Sequence, residues 1–364
     1  MPGLLTIDLR MYRHSGIGRY LRNLIPPLLP LLHADRIRIV APRALIAGAA
    51  WLAEPRIELF ETSAPVYSIA EQLLPLRGAY RDTRLLWVPH YNAPLLYRGR
   101  LALTIHDIAP LALPGILSNA VKRAYARLLI TRASARASAI LCDSAFTATE
   151  LHRLVGTDTA KMTVVPLGLD ETWPSDSPPH READNVPYLL YVGNVKPNKN
   201  LSLLLNAFAQ VQDRLPHRLL LAGRMSGFGS NDEAVIRLAQ SMPRVRFTGE
   251  ISDAVLIALY AGASALVLPS LYEGFGLPLL EAMQMGCPCL SSGATSLPEV
   301  GGDAALYFDP RSVESLAARL LQVLDEPLMQ RLRAAGRVRA REFSYARCAA
   351  ATAAILNPLL ETPA

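Results

Sequence analysis

The segment Pro269-Ser270-Leu271-Tyr272-Glu273-Gly274-Phe275-Gly276-Leu277-Pro278-Leu279-Leu280-Glu281 sets two carboxylates around a glycine-rich turn. An apolar run at 265–268 precedes it and a helical pattern follows. Pro278 falls in the first turn of that helix, where backbone N–H groups have no internal partner and proline costs nothing. The amides of Phe275, Gly276 and Leu277 then form an anion site. Gly274 and Gly276 allow the backbone to approach a ligand closely. Glu273 in the loop and Glu281 one turn into the helix can reach one ligand from different depths. Glu281 alone would fit a plain N-terminal helix carboxylate, but the whole constellation does not.

Four further groups follow expected strands. Tyr191-Val192-Gly193-Asn194-Val195-Lys196-Pro197-Asn198-Lys199-Asn200 supplies Lys196 and Lys199 where a departing diphosphate would need positive charge. Taken alone, this pair reads equally well as solvated lysines before a helix. Leu221-Ala222-Gly223-Arg224 offers a second cation, which could instead pair with a carboxylate. Thr104-Ile105-His106-Asp107 ends another apolar run, although a lone histidine is more often structural. His14-Ser15-Gly16-Ile17-Gly18-Arg19-Tyr20 follows the first strand. Gly16 and Gly18 could cradle a phosphate or an acceptor, but Leu21 occupies the third-glycine position of a dinucleotide fingerprint.

Together these residues resemble the retaining glycosyltransferases of family 4, with the E-x7-E signature and the GT-B fold. The likeness runs in order along nearly the whole chain. It implies that Glu273 contacts the donor sugar, Glu281 the nucleotide ribose, and the Phe275–Leu277 amides the sugar and diphosphate. Lys199 matches the family lysine. Asn198 stands where the family has arginine, and Arg224 matches a basic residue at the next strand end. The glycine loop at Gly16 and Gly18 would close over the donor phosphate, and His106 would line the site near the sugar 6-hydroxyl. Likeness to bacterial O-antigen and exopolysaccharide mannosyltransferases implies GDP-mannose as donor, ahead of UDP- or dTDP-sugars, with a saccharide or lipid-linked saccharide as acceptor. The strips 141–147 and 164–170 resemble the family's last two strand ends, though a cap at Ser144 and a turn at Gly168 explain them as well.

The elements that must position these residues alternate strand and helix. Strands are expected at 3–8, 36–41, 84–88, 101–105, 139–142 and 162–165, then at 188–192, 218–222, 245–248 and 265–268. Helices are expected at 18–32, 118–135, 145–155, 200–214, 232–241, 253–261, 277–285, 313–325 and 327–342, with a last one from about 344. Strands apolar throughout imply parallel sheets covered on both faces. The proline-rich stretch from 167 to 187 interrupts the rhythm. The expected fold is therefore α/β: two Rossmann-like doubly wound domains facing across a cleft, at 1–168 and 187–343. A linker at 169–186 joins them, and a helix at 344–364 packs back on the first. Ligands in such sheets sit beyond the carboxyl ends of the strands.

With 364 residues, 51% hydrophobic and 19% charged, the chain can fill two cores, which excludes disorder. Four scattered cysteines suit neither a disulfide framework nor a zinc site. No Asp-x-Asp occurs, so metal independence is expected, and no cofactor is implied because the nucleotide-sugar is a substrate. The early strand argues against a signal peptide, and apolar runs reach only about half the ~20 residues of a membrane span, so a cytoplasmic protein is expected. A net charge of +6 suits anionic partners, but no nucleic-acid motif accompanies it. The stretch 118–136 carries Lys122, Arg123, Arg127, Arg132 and Arg136 beside Val121, Leu128, Leu129 and Ile130. It reads as a peripheral membrane contact or, equally, as a core helix with a solvated face. Rival readings are a phosphorylase or epimerase of the same fold and a non-catalytic nucleotide-sugar-binding partner.

Overall fold

The computed structural model describes residues 3–113, 115–117, 119–174, 177–180, 185–224 and 230–362. The chain divides into two compact units, residues 1–170 with 344–364, and residues 171–343. Each is built on one fully parallel sheet.

The amino-terminal sheet comprises β1 (Leu4–Asp8), β2 (Arg36–Ala41), β3 (Ile57–Glu61), β4 (Thr83–Val88), β5 (Arg100–Ile105), β6 (Ala139–Cys142) and β7 (Met162–Val164). Their order is β3-β2-β1-β4-β5-β6-β7. The carboxy-terminal sheet comprises β8 (Tyr188–Val192), β9 (Arg218–Ala222), β10 (Val245–Gly249), β11 (Ala265–Leu268), β12 (Cys289–Ser292) and β13 (Leu306–Phe308), in the order β10-β9-β8-β11-β12-β13. The central strands are buried along their whole length, as two-faced coverage requires: β1, β11 and β12 expose no residue. Strand order reverses between β1 and β4 in one unit and between β8 and β11 in the other. Chains leaving these neighbours diverge to opposite faces and open a crevice at their carboxyl ends.

Three strands were not expected from the sequence. β3 is a half-exposed edge strand with two glutamates, and β13 is a three-residue edge. β12 ends in Ser291 and Ser292, both fully buried, and so lacks the apolar run that betrays a central strand. The first long helix is Ser15–Leu28 instead of 18–32. Gly16 and Gly18 consequently lie in its first turn, not in a loop before it. The Gly18 amide donates to the His14 carbonyl at 2.8 Å, and a Cβ at Gly18 would sit 2.7 Å from the Tyr12 carbonyl oxygen. Close backbone packing accounts for that glycine, whereas Gly16 faces open space.

The last helix, Tyr345–Glu361, belongs to the amino-terminal unit and packs along Ser15–Leu28. Asn357 donates to the Leu31 carbonyl at 2.9 Å and accepts the His33 amide at 3.0 Å. Arg84 donates to the carbonyls of Leu360 and Thr362, at 3.0 and 2.6 Å. Cations thus meet the negative end of this helix, where carbonyls lack internal partners.

Ser118, the expected start of the basic helix, lies outside the described residues, and the helix runs Ala120–Arg136. Leu129 and Ile130 are buried, and Arg136 donates to the Tyr97 carbonyl. Leu129 and Ile130 are core residues, and Arg136 is half-buried against the Tyr97 carbonyl. Val121 and Leu128 remain exposed beside Lys122, Arg123, Arg127 and Arg132.

Candidate active site

In the carboxy-terminal unit the loops after β8 and β11 are tied to each other. The Leu271 amide donates to the Asn198 carbonyl at 2.8 Å, and the Asn198 side chain donates to the Tyr272 carbonyl at 3.2 Å. Asn200, in the left-handed region at φ 55°, donates to the Pro269 and Pro310 carbonyls at 3.1 and 2.8 Å. Asn198, which the resemblance also counts among the donor contacts, braces this loop with its side-chain amide.

That bracing brings Lys199 and Glu273 together. Lys199 Nζ lies 2.6 Å from Glu273 Oε1, and the fully buried Ser270 donates its hydroxyl to the same oxygen at 2.6 Å. The ion pair is largely screened from water, with side-chain exposures of 18% and 12%. From the loop after β12, Thr295 accepts the Glu273 amide at 3.1 Å. Ser296 donates to the Glu273 and Phe275 carbonyls at 2.9 and 3.0 Å. Ser270 stands inside the motif and was legible from it. Thr295 and Ser296 come from a distant segment with no local signal.

The turn ends at Gly276, whose φ of 110° suits glycine and whose Cβ would stand 2.6 Å from the Leu297 side chain. The helix Leu277–Gln284 begins there with Pro278 in its first turn. Among the described residues, none accepts a hydrogen bond from the amides of Phe275, Gly276 or Leu277, so the helix start presents donors to an anion. Glu281 is buried one turn further in and accepts the Tyr260 hydroxyl at 3.0 Å. Arg224, after β9, pairs with Glu250 at 2.6 Å, and both side chains are more than half exposed. A solvated pair of this kind is worth little and exchanges readily.

In the amino-terminal unit His106 follows β5. Its Nδ1 lies 2.7 Å from Asp143 Oδ2, and its Nε2 lies 3.2 Å from the Pro89 carbonyl oxygen. Both partners accept, so the geometry favours a proton on each ring nitrogen, the imidazolium form. Burial disfavours that charge. The Asp143 charge and hydrogen bond, the Asp107 charge and the Pro89 carbonyl outweigh it and hold the pKa above the ordinary 6.5. The Tyr20 ring meets His106 edge-on at 4.8 Å. With both ring nitrogens turned to internal acceptors, His106 has no lone pair to offer a ligand. Asp143, at the end of β6, was passed over in favour of its neighbour Ser144, which does cap its helix by accepting the Thr147 amide at 3.1 Å.

Solved structures with this arrangement of sheets are glycosyltransferases of the GT-B fold. Sucrose-phosphate synthase from Thermosynechococcus elongatus superposes with a TM-score of 0.76 at 19% identity, covering 99% of both chains. HepE of Anabaena, in complex with UDP and glucose, gives 0.73 at 18%, covering 98% of this chain and 99% of its own. Residues 14–173 match the model described as Glycosyltransferase Family 4, and residues 186–326 match Glycosyl transferases group 1. The O-antigen chain mannosyltransferase B of Escherichia coli is 30% identical over 94% of this chain and 95% of its own length. This chain belongs to the group 1, family 4 glycosyltransferases.

Proposed function

We propose that the protein transfers a hexose, mannose from GDP-mannose, with retention of configuration, to a saccharide or lipid-linked saccharide of a bacterial surface polysaccharide. The observation that carries this reading is the Lys199–Glu273–Ser270 cluster beside the open amides of the helix Leu277–Gln284. The relative named as an O-antigen mannosyltransferase supports mannose as the sugar.

In this reading the donor replaces the internal ion pair. Lys199 turns to the diphosphate, and Glu273, still held by Ser270, takes a sugar hydroxyl. As the anomeric C–O bond breaks, negative charge grows on the diphosphate. Lys199, Arg224 and the Phe275–Leu277 amides meet that charge without a metal, and such preorganised donors contribute most of the rate in many enzymes. The acceptor hydroxyl attacks from the face the diphosphate leaves and gives its proton to the departing phosphate oxygen. Glu281 binds the ribose.

A second reading keeps the chemistry and changes the donor to a UDP-hexose. HepE, which shares this fold, holds UDP and glucose. A thermal-shift comparison of GDP, UDP and dTDP separates the two, because a ligand bound by the native state raises the melting temperature by mass action. GDP is expected to give the largest rise, and a largest rise with UDP would reassign the donor. No rise with any of them would remove the nucleotide-sugar reading.

A further inference from the structure

The loop after β12 grips Glu273 by its backbone. The Glu273 amide donates to Thr295 Oγ1 at 3.1 Å, and the Ser296 hydroxyl donates to the Glu273 carbonyl at 2.9 Å. Both main-chain polar groups of Glu273 are thus held by residues 22 and 23 positions further along the chain. The carboxylate is held separately, by Ser270 and Lys199. In the transfer reading a donor displaces Lys199, whereas the backbone contacts stay in place.

The loop is itself tied to the sheet. The Gly293 amide donates to the Phe308 carbonyl at 2.8 Å, and the Ala294 amide donates to the Ser292 hydroxyl oxygen at 3.1 Å. On the other side, the Leu297 side chain packs where a Cβ on Gly276 would stand. Thr295 therefore lies between an anchored strand end and the Glu273 turn, half-buried.

Its backbone is unusual. Thr295 has a φ of 60°, in the left-handed region where a Cβ is crowded and a branched one most of all. Among the described residues it is the one β-branched side chain at positive φ. Strain of this kind persists only where the surroundings determine it, and it gathers where geometry serves function. Here it accompanies one contact, the hydroxyl oxygen set against the Glu273 amide. Ser296 cannot take that place, because its hydroxyl is committed to the Glu273 and Phe275 carbonyls.

We infer that Thr295 is a positioning residue for the transfer, acting through Glu273. Its hydroxyl keeps the Glu273 backbone still while Lys199 turns to the diphosphate, so the carboxylate stays on the sugar. Without it the backbone is free to pivot about the Ser296 contact, and a shift of about 1 Å at a reacting group costs up to about 100-fold in rate. This role rests on the transfer reading above; the contact between Thr295 and Glu273 does not.

Three variants of the whole protein separate the hydroxyl from the strain. Thr295→Ser keeps the hydroxyl, Thr295→Ala removes it, and Thr295→Gly removes it together with the crowding. The lost hydrogen bond and the relieved crowding oppose each other, so all three are expected to melt close to the wild type. Hydrogen exchange at the Glu273 amide reads the contact without turnover. It is expected to quicken about tenfold in Thr295→Ala and Thr295→Gly and to stay near the wild-type rate in Thr295→Ser. In the same two variants kcat for hexose transfer is expected to fall about tenfold, with KM for the nucleotide-sugar little changed and serine restoring the rate. Unchanged exchange in both variants lacking the hydroxyl would overturn the role, as would wild-type kcat in a folded Thr295→Ala protein. A serine variant as slow as the alanine one would overturn it too, by tracing the loss to something other than the hydroxyl. A wild type that transfers no hexose from any nucleotide-sugar would strike the transfer reading itself. That failure is told apart by exchange at Glu273, which would still follow the hydroxyl.

Discussion

Two acceptors favour the protonated form of His106, and its charge should therefore depend on Asp143. With a folded pKa above the ordinary 6.5, the His106 proton contributes stability that is present below 6.5 and is lost as pH rises through the folded value. Asp143→Asn removes the opposing charge and should move that alkaline loss toward lower pH. Urea melts of wild type and variant across this range measure the shift. Superimposable pH profiles would show that Asp143 does not set the charge of His106. The same logic separates the two ion pairs of the carboxy-terminal unit. Lys199 and Glu273 neutralise each other until a ligand competes, whereas Arg224 and Glu250 are paired in water and cost little to part.

At the scale of elements, the loops after β8, β11 and β12 act as one piece because asparagine and serine side chains cross-link their backbones. Much of this was legible where the chemistry is contiguous: the turn at Gly274–Pro278, the lysine at 199 and the parallel alternation of buried strands. A buried cluster of the amino-terminal unit, Asp8, Arg10, Glu71, His90 and Asn92, was not legible. Its members come from separate segments, and only the strand order brings them together. β12 escaped for a related reason, since its serines are buried by central position, not by hydrophobicity. The helix Ala120–Arg136 shows the converse, because burial removes Leu129 and Ile130 from the face its sequence suggested. What remains, Val121 and Leu128 among four exposed cations, motivates a peripheral membrane contact worth about 1 kcal/mol per cation at an anionic surface. Flotation with anionic vesicles should carry the protein upward, and Arg127→Glu with Val121→Asp should reduce that. Failure to float, or equal flotation with zwitterionic vesicles, would remove the contact.

At the scale of the whole molecule, two parallel sheets each reverse strand order once, and each reversal carries its own polar cluster. The carboxy-terminal one combines a carboxylate, a lysine and open helix amides, which suits a phosphorylated donor. The amino-terminal one pairs Arg10 with Asp8 and Glu71, one cation against two carboxylates. Among the described residues no helix is long and apolar enough to cross a membrane. The central claim is that Glu273 serves the transferred sugar and not the fold. Initial rates of hexose transfer by Glu273→Gln, measured beside nucleotide diphosphate affinity on the same folded sample, test it most directly. Turnover is expected to fall by about 100-fold or more, the scale of a lost transition-state contact, with diphosphate affinity little changed. A folded Glu273→Gln protein that transfers hexose at the wild-type rate would contradict it.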